Sequence, residues 1–379
     1  MRIAQCLEYP IHQHGGTEAI VRELLAGLAH HHEMVLVSPD DAESLRQSSL
    51  GSLLSKHIPW NPGAAGRAQA KTLAVALGEH GVEVAHFHFG GNFGWGSRLF
   101  RGSPIPHVAR QGIRVFSTVH SVVDLLTGYC GPQKPWLFKL ALLPAAWLGK
   151  MDVLAHVRRE FAVSRHDYEL LARWYWPFRH RLAQVYHSRL GGGAIADKGG
   201  HREKLILCVG HLAHRKGQHI LVQAFAEIAA KYPDWSLTLV GQAGGDNAEK
   251  HLRELIRSAN LGDRVQLTGP SDRVPEWLRR ASIYVQPSLE EALGLALQEA
   301  MASGCACIGS RVGGIPELIE SGTGWLVEAA SVQQLAQALD QLMGNERQRE
   351  NLGQAAALSI PRRGMTREGM VSQYLQHYV

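Results

Sequence analysis

Residues 283–310 read Ile-Tyr-Val-Gln-Pro-Ser-Leu-Glu-Glu-Ala-Leu-Gly-Leu-Ala-Leu-Gln-Glu-Ala-Met-Ala-Ser-Gly-Cys-Ala-Cys-Ile-Gly-Ser. The run begins and ends with a short apolar stretch typical of a buried strand, and residues 294–303 have the apolar spacing of a helix. Two strands joined by a helix form the unit from which parallel sheets are built. The stretch therefore predicts an α/β fold.

The rest of the second half repeats this alternation of apolar runs and helix-period segments. Together with Ile283–Gln286 and Ala306–Ser310, we predict strands at Lys204–Val209, Ser236–Val240 and Arg264–Leu267. The predicted helices lie near residues 217–231, 248–259, 274–281, 294–303 and 332–343.

The first half has the same organisation. A helix is predicted over Thr17–His30, because its apolar residues fall on one stripe. The predicted strands are Ile3–Leu7, Met34–Ser38, Val82–Phe87, Val115–Val119, Val153–Ala155 and Glu160–Val163.

A glycine-rich stretch separates the two halves. Leu190–Gly200 contains five glycines and no aromatic residue, so we predict a linker there. The predicted domains are Rossmann-like units at 1–190 and 201–362. The segment Thr366–His377 is helical in period, and we expect residues 363–379 to pack back on the N-terminal domain.

Composition narrows the class of protein. The chain has 379 residues, 45% hydrophobic and 19% charged, as expected for about two domains of roughly 150 residues each. The N-terminus lacks signal-peptide features, and Lys139 and Pro144 interrupt the longest apolar stretch, Pro135–Gly149, so no membrane span is expected.

Five cysteines without framework spacing favour reduced thiols and the cytoplasm. A net charge of +5 suits a phosphate-bearing substrate or peripheral contact with an anionic inner membrane face equally well. No nucleic-acid partner is expected.

Glycine-rich turns follow three of the predicted strands. They are Gly15–Glu18, Gly210–Gly217 and the stretch from Pro287 to Gly294. Ligands of parallel sheets bind at the carboxyl ends of the strands, where a helix N-terminus attracts anions such as phosphate. The second turn also carries basic residues that suit a diphosphate: His211, His214, Arg215 and Lys216. A solvated basic loop explains the same residues, and both interpretations stay open.

Two glutamates, Glu291 and Glu299, flank the predicted helix start near Gly294. At 1.5 Å per residue, the second lies roughly 7 Å along the helix axis, where its carboxylate suits a ribose diol. The backbone amides of four residues are then free to bind a phosphate: Leu293, Gly294, Leu295 and Ala296. Two glutamates on a solvated helix surface explain the same spacing.

The stretch Pro287–Ile319 closely resembles the donor-site signature of glycosyltransferase family 4. Val209–Gly217 is similar to the phosphate loop of that family, Gly15–Glu18 to its N-terminal glycine loop, and Ser117–His120 to its active-site histidine segment. The resemblance runs in order over nearly the whole chain and is weakest between about 125 and 195. It implies a GT-B architecture, in which two Rossmann-like domains face each other across a cleft. It also implies retention of the anomeric configuration, no metal and no cofactor.

The resemblance also implies a role for individual residues. Glu299 would hold the ribose hydroxyls, Glu291 would contact the transferred sugar, and Lys216 would bind the diphosphate. Gly16 would let its loop approach the phosphates, and His120 would contact the sugar from the N-terminal, acceptor-binding domain. The implied activity is transfer of a hexose-type sugar from a UDP- or GDP-sugar to a hydroxyl of a glycan or lipid-linked acceptor.

The sequence departs from the family pattern at two places. His211 stands where the family has an arginine, a deficit for which Arg215 is a candidate replacement. Ala292-Leu293-Gly294 replaces Gly-Phe-Gly, so we expect strain if Ala292 needs a positive φ. A non-catalytic sugar-nucleotide or glycan-binding protein is therefore the alternative. A nicotinamide-dependent oxidoreductase is a weaker one, because the first turn lacks the G-x-G-x-x-G pattern.

Three further groups of residues are candidates for a functional role. The run His86–Gly91 suits either strand packing or contact with a sugar. His12 with His14, and the run His30–His32, offer ligand atoms but form no complete set, so no metal site is predicted. The run Arg173–Arg181 mixes aromatic residues and cations, which suits either a membrane interface or a packed connector.

Overall fold

The computed structural model describes residues 1–13, 15–61, 66–97, 102–122, 135–191 and 202–379. The chain divides into two compact units. Unit 1 consists of Met1–Arg189 and Arg367–Val379, and unit 2 of Leu190–Thr366. Nearly all of the predicted linker, from residue 192 to 200, lies outside the described residues.

Unit 1 is built on a parallel sheet, with the order β3-β2-β1-β4-β5-β6-β7 among its described strands. The strands are β1 (Arg2–Cys6), β2 (Glu33–Ser38), β3 (Leu54–Pro59), β4 (Val84–Phe89), β5 (Arg114–Val119), β6 (Arg159–Ala162) and β7 (Leu182–Gln184). The helices are α1 (Gly16–Leu28), α2 (Ala42–Gln47), α3 (Arg67–Glu79), α4 (Ile105–Arg110), α5 (Trp136–His156), α6 (Arg165–Trp174) and, from the end of the chain, α14 (Arg367–Tyr378).

The sheet of unit 1 is covered on both faces, which is why its central strands are apolar throughout. Helices α3, α4, α5 and α6 share one apolar core with Phe87 and Phe89 of β4. On the other face, α14 packs beside α1, where Val371 fills the space next to Gly27. Every residue of β4 is buried, as expected for a central parallel strand.

Unit 2 has a second parallel sheet, with the described order β10-β9-β8-β11-β12-β13. The strands are β8 (Glu203–Val209), β9 (Ser236–Val240), β10 (Val265–Gly269), β11 (Ala281–Gln286), β12 (Ala306–Ser310) and β13 (Trp325–Val327). The helices are α7 (Gln218–Ile228), α8 (Ala248–Ser258), α9 (Val274–Arg280), α10 (Leu295–Ala302), α11 (Ile315–Leu318), α12 (Val332–Gly344) and α13 (Glu346–Arg362).

One predicted strand is wrong. Val153–Ala155 lies inside helix α5, because its apolar residues continue the helical spacing that begins at Trp136, with Val153 and Leu154 facing the core. The predicted elements also lack strands β3, β7 and β13, and helices α2 to α6, α11 and α13. Strand β3 contains Ser55, Lys56 and His57 and lies at the sheet edge, so it lacks an apolar run.

The C-terminal helix belongs to unit 1. Tyr374 and Tyr378 are fully buried there, and Arg367 forms an ion pair with Glu23 of α1. The return to unit 1 occurs at residue 367 rather than 363, since helix α13 and the turn after it stay with unit 2.

Candidate functional site

The turns after β8 and β11 bring together Lys216 and Glu291. The Lys216 ammonium donates to Glu291 Oε2 at 2.6 Å, and the two side chains are only 15% and 12% exposed. Strands β8 and β11 are neighbours in the sheet although two other strands separate them along the chain. Such a reversal of strand order is where open α/β sheets bind their ligands.

Two more side chains hold the Glu291 carboxylate. Gln286 Nε2 and Ser288 Oγ each donate to Glu291 Oε2 at 3.2 Å. Gln286 is itself fixed, because Tyr284 donates its hydroxyl hydrogen to Gln286 Oε1 at 2.7 Å. Gln286 and Ser288 were not among the predicted site residues, although Gln286 ends strand β11 and Ser288 begins the turn that leads to Glu291.

The backbone ties the two turns to each other. The carbonyl of Arg215 accepts hydrogen bonds from the Leu289 and Glu290 amides at 2.8 and 3.3 Å. Gly217 has a φ of +68°, and a Cβ built there would lie 1.9 Å from the Pro287 carbonyl oxygen. A side chain at Gly217 would therefore force the two turns apart.

Replacing Gly217 with alanine is expected to weaken anion binding at these turns strongly while leaving the sheet intact. The added methyl group clashes with backbone rather than with a movable side chain, so the Lys216 and Glu291 turns must separate. Calorimetric titration with UDP and GDP measures the loss, and Gly262→Ala, which meets nothing within 4 Å, is the matched control. Equal affinities in the two variants would contradict the arrangement described.

Helix α10 begins at Leu295, directly after Leu293 and Gly294. Gly294 is the residue before the helix and has a φ of +99°, and the first helical hydrogen bond runs from the Gln298 amide to its carbonyl. The earlier amides of this segment have no acceptor within the helix and can serve an anion. Leu293 is buried, and Glu299 lies half-buried on the helix itself.

The strain expected at Ala292 is absent. Among the described residues, the non-glycine positions with positive φ are Trp95, Asn247, Asn260 and Ala330. The left-handed conformation in this turn falls instead on Gly294, so an alanine at 292 fits.

Two other residues of the phosphate-loop region, His211 and Arg215, are placed differently from Lys216. His211 follows Gly210, and its carbonyl accepts from the Gln218 side chain at 2.8 Å, which fixes the turn. The Arg215 side chain is exposed, so it can swing toward an anionic ligand. Both residues therefore border the turn that carries Lys216.

In unit 1, Gly16 and His120 follow different strands, β1 and β5. Gly16 is the first residue of α1 and follows the turn after β1. His120 follows β5, and its amide donates to the Phe89 carbonyl at the end of β4.

His120 belongs to a buried network of histidines and tyrosines. His120 Nε2 lies 3.0 Å from His88 Nδ1, and the His120 ring lies 4.9 Å from that of His187. His187 Nε2 lies 2.7 Å from the Tyr374 hydroxyl, and His86 is bonded to the Tyr378 hydroxyl. The tyrosines of α14 thus support the strand-end histidine of unit 1.

The network fixes the proton positions on His120. His88 Nε2 lies 2.7 Å from Gln5 Oε1, an acceptor, so this nitrogen carries the hydrogen and His88 Nδ1 accepts. His120 Nε2 must then donate to His88, which leaves His120 Nδ1 as the basic nitrogen. Burial lowers the pKa of His120 to about 3 and those of His86, His88 and His187 well below the usual histidine value, so the network is neutral.

Stability is therefore expected to fall as pH decreases. The folded-state pKa of each of these histidines lies below that of the unfolded chain, so the unfolded chain takes up more protons below about pH 6.5. The melting temperature should drop between about pH 7 and pH 5, and His88→Gln should flatten this dependence. The exposed His180→Gln variant is the control. A slope unchanged by His88→Gln would contradict the assignment.

The structure also places the other histidines and the cysteines that the sequence singles out. His86 and His88 are buried in β4, which favours the packing interpretation. Within the described residues, no cluster of three or more histidine, cysteine or acidic side chains is placed to hold a metal ion, and His14 lies outside those residues. Four described cysteines, Cys6, Cys208, Cys305 and Cys307, are buried and unpaired.

Comparison with known proteins supplies the family. Residues 14–187 match the model described as Glycosyltransferase Family 4, and residues 195–359 match Glycosyl transferases group 1. The N-acetyl-alpha-D-glucosaminyl L-malate synthase of Bacillus anthracis is 37% identical over 174 residues, 45% of this chain and 44% of that protein. The lipopolysaccharide core biosynthesis mannosyltransferase LpsB of Rhizobium meliloti is 30% identical over 165 residues, 42% of this chain and 46% of that protein. The matched segments thus span less than half of either relative.

Solved structures agree along the whole chain. A glycosyltransferase from Rickettsia africae superposes with a TM-score of 0.77 at 18% identity, over 100% of this chain and 97% of that one. Anabaena Alr3699/HepE, solved in complex with UDP and glucose, gives 0.75 at 15% identity, over 99% and 98%. These likenesses show the GT-B fold, and the two family matches, which together cover residues 14–187 and 195–359, show that the chain belongs to glycosyltransferase family 4.

Proposed function

We propose that this protein transfers a hexose-type sugar from a UDP- or GDP-sugar to a hydroxyl acceptor, with retention of the anomeric configuration. The observation that carries the proposal is the shielded Lys216–Glu291 pair, which lies between two neighbouring strand ends and beside the start of α10. A cation and free amides are what a departing nucleoside diphosphate requires.

In this proposal Lys216 and the α10 amides bind the diphosphate, and Arg215 and His211 add donors at the rim. Glu299 accepts hydrogen bonds from the ribose hydroxyls. When the diphosphate pairs with Lys216, the Glu291 carboxylate loses its ammonium partner and can accept hydrogen bonds from the sugar. Gln286 and Ser288 keep it in place.

In unit 1, Gly16 and His120 are the residues proposed to contact substrate, and His120 would offer Nδ1 as an acceptor to a hydroxyl group. The transfer itself then needs no carboxylate nucleophile. The leaving phosphate assists removal of the acceptor proton, while the protein supplies positioning and charge stabilisation at the leaving group. No metal ion takes part in this scheme, since Lys216 and the amides carry the charge.

The acceptor proposed is a glycan or a lipid-linked hydroxyl. The names of the relatives support this class, since one is a mannosyltransferase of lipopolysaccharide core biosynthesis. The setting proposed is the cytoplasm, with peripheral contact at the inner membrane face. No described helix is long and apolar enough to cross a membrane.

The test is an assay of nucleoside diphosphate release from a panel of nucleotide sugars, with and without candidate acceptors and with EDTA present. We expect release from a UDP- or GDP-hexose that persists in EDTA, and an α-linked product by NMR when the donor is α-linked. An inverted product or complete loss in EDTA would refute those parts of the proposal.

The alternative is a protein that binds a sugar nucleotide without turning it over. The observation in its favour is His211, which stands where the family has an arginine. Thermal stabilisation by a nucleotide sugar, without release of the diphosphate for any acceptor, would favour this alternative.

A further inference from the structure

Helix α5 has apolar residues on its outer side as well as its inner side. Ala146, Val153 and Leu154 face the core of unit 1 and are fully buried. Leu140 and Leu148, in contrast, are 46% and 48% exposed. A helix that is apolar all round is normally covered on all sides, by protein or by lipid.

The exposed residues of α5 form one continuous stripe. Leu137, Leu140, Ala141, Pro144 and Leu148 are all exposed, and their spacing of three or four residues places them on one side of the helix. The stripe is flanked at the helix start by Trp136 and Phe138, which are 67% and 48% exposed.

A further exposed aromatic residue lies on the neighbouring element. Helix α6 is followed by a 3₁₀ turn, Trp176–Arg181, in which Trp176 is 71% exposed. Trp147 Nε1 of α5 donates to the Trp174 carbonyl at 2.8 Å, and Arg181 donates to the carbonyls at the end of α5. The stripe and the turn therefore belong to one surface, which we call the α5 face.

Exposed cations border the α5 face on both sides. Arg173 and Arg179 are exposed and lie three residues before and after Trp176 along the chain. On the other side, α4 packs against α5 and α3, and Arg67, Lys71 and Arg110 are exposed there.

The cations on the α4 side also affect His107 of α4. The pKa of His107 is lowered, first by burial and then by Arg110, Lys71 and Arg67, while Asp152 of α5 opposes the shift. Asp152 lies one helical turn beyond Leu148 and has His156 as its own partner at 3.5 Å. The basic group therefore lies next to the stripe, with one acidic side chain of α5 between them.

We propose that the α5 face binds the surface of a bilayer that contains anionic lipids. Leucine and tryptophan side chains enter the headgroup region, and the bordering arginine and lysine side chains contact lipid phosphates. A symmetric contact with a second copy is disfavoured, because the basic borders would face each other. This inference rests on the peripheral membrane contact in the proposed function and names the surface that makes it. The interaction needs no sugar donor or acceptor, so its failure would leave the sugar-transfer proposal standing.

The test is flotation of the protein with vesicles of phosphatidylcholine, with or without phosphatidylglycerol. We expect binding to the anionic vesicles that weakens as salt increases, because the charge contribution is screened. The double variants Leu140→Glu/Leu148→Glu and Lys71→Glu/Arg110→Glu should each lower binding about tenfold or more. The control is Leu358→Glu, at an exposed leucine of α13 in unit 2, which should bind as the unchanged protein does.

A second measurement needs no destabilising variant. Brominated phosphatidylglycerol vesicles should quench tryptophan fluorescence, and Trp136→Phe and Trp176→Phe should reduce that quenching. Trp235→Phe, at a buried position of unit 2, should not. Absence of vesicle binding at low salt, equal binding by folded variants and control, or a dimer dissociated by the leucine variant with no vesicle binding would overturn the proposal.

Discussion

Replacing Lys216 with alanine is expected to lower the rate of sugar transfer by about 10²–10³-fold, the usual effect of removing one preorganised group from a developing charge. Lys216 is the shielded cation at the ends of β8 and β11, with its ammonium 2.6 Å from Glu291 Oε2. Its loss removes a positive charge from the leaving diphosphate and leaves the Glu291 carboxylate without its ion-pair partner. Steady-state kinetics with the donor found in the panel measures the effect.

A matched control separates this role from a general effect of losing a lysine. Lys231 also pairs with an acidic residue of unit 2, Asp340, at 2.7 Å, but its side chain is 62% exposed. Lys231→Ala should keep the transfer rate, since exposed pairs contribute little. Similar rates for the two folded variants would contradict the role of Lys216. Glu291→Gln, which preserves shape but not charge, should also lower kcat.

Replacing Lys150 with methionine is expected to destabilise unit 1 by about 3–5 kcal/mol, the effect of leaving a buried charge without its partner. The Lys150 ammonium lies 2.6 Å from Glu160 Oε2, and both side chains are 0% exposed. Ser117 Oγ also donates to Glu160 Oε2, at 2.9 Å, but a hydroxyl does not compensate the charge. Urea denaturation followed by circular dichroism measures the change.

The double variant Lys150→Met/Glu160→Gln distinguishes charge from packing. It removes both charges, so it should recover a large part of the lost stability. Lys231→Met breaks an exposed pair and should change the free energy of unfolding by at most about 1 kcal/mol. A double variant as unstable as Lys150→Met would show that packing around Lys150, rather than the unpaired charge, accounts for the loss.

The fold class followed from apolar spacing because buried parallel strands are almost continuous apolar runs. Strands such as Ser236–Val240 and Ala306–Ser310 have the bounds that the sequence predicts. Edge strands are only partly buried, so β3 carries no such run and was missed. Val153–Ala155 was misassigned because three apolar residues alone do not distinguish a strand from the end of a helix.

The site was only partly predictable for a similar reason. Sequence reasoning located the turns that carry Lys216 and Glu291, but only the strand order shows that β8 and β11 are neighbours. Gln286 and Ser288 gave no separate signal, since their roles depend on the distance to Glu291. The histidine network likewise joins β4 to α14, nearly 300 residues apart along the chain, which no local pattern encodes.

The central claim is that the Lys216–Glu291 strand-end site binds the nucleoside diphosphate of a sugar donor. Isothermal titration of the protein with UDP and with GDP in EDTA tests it most directly. We predict saturable binding of one of the two and a loss of about tenfold or more in Lys216→Ala, with Lys231→Ala unchanged. Binding of neither nucleotide, or equal affinity in Lys216→Ala and the unchanged protein, would contradict the claim.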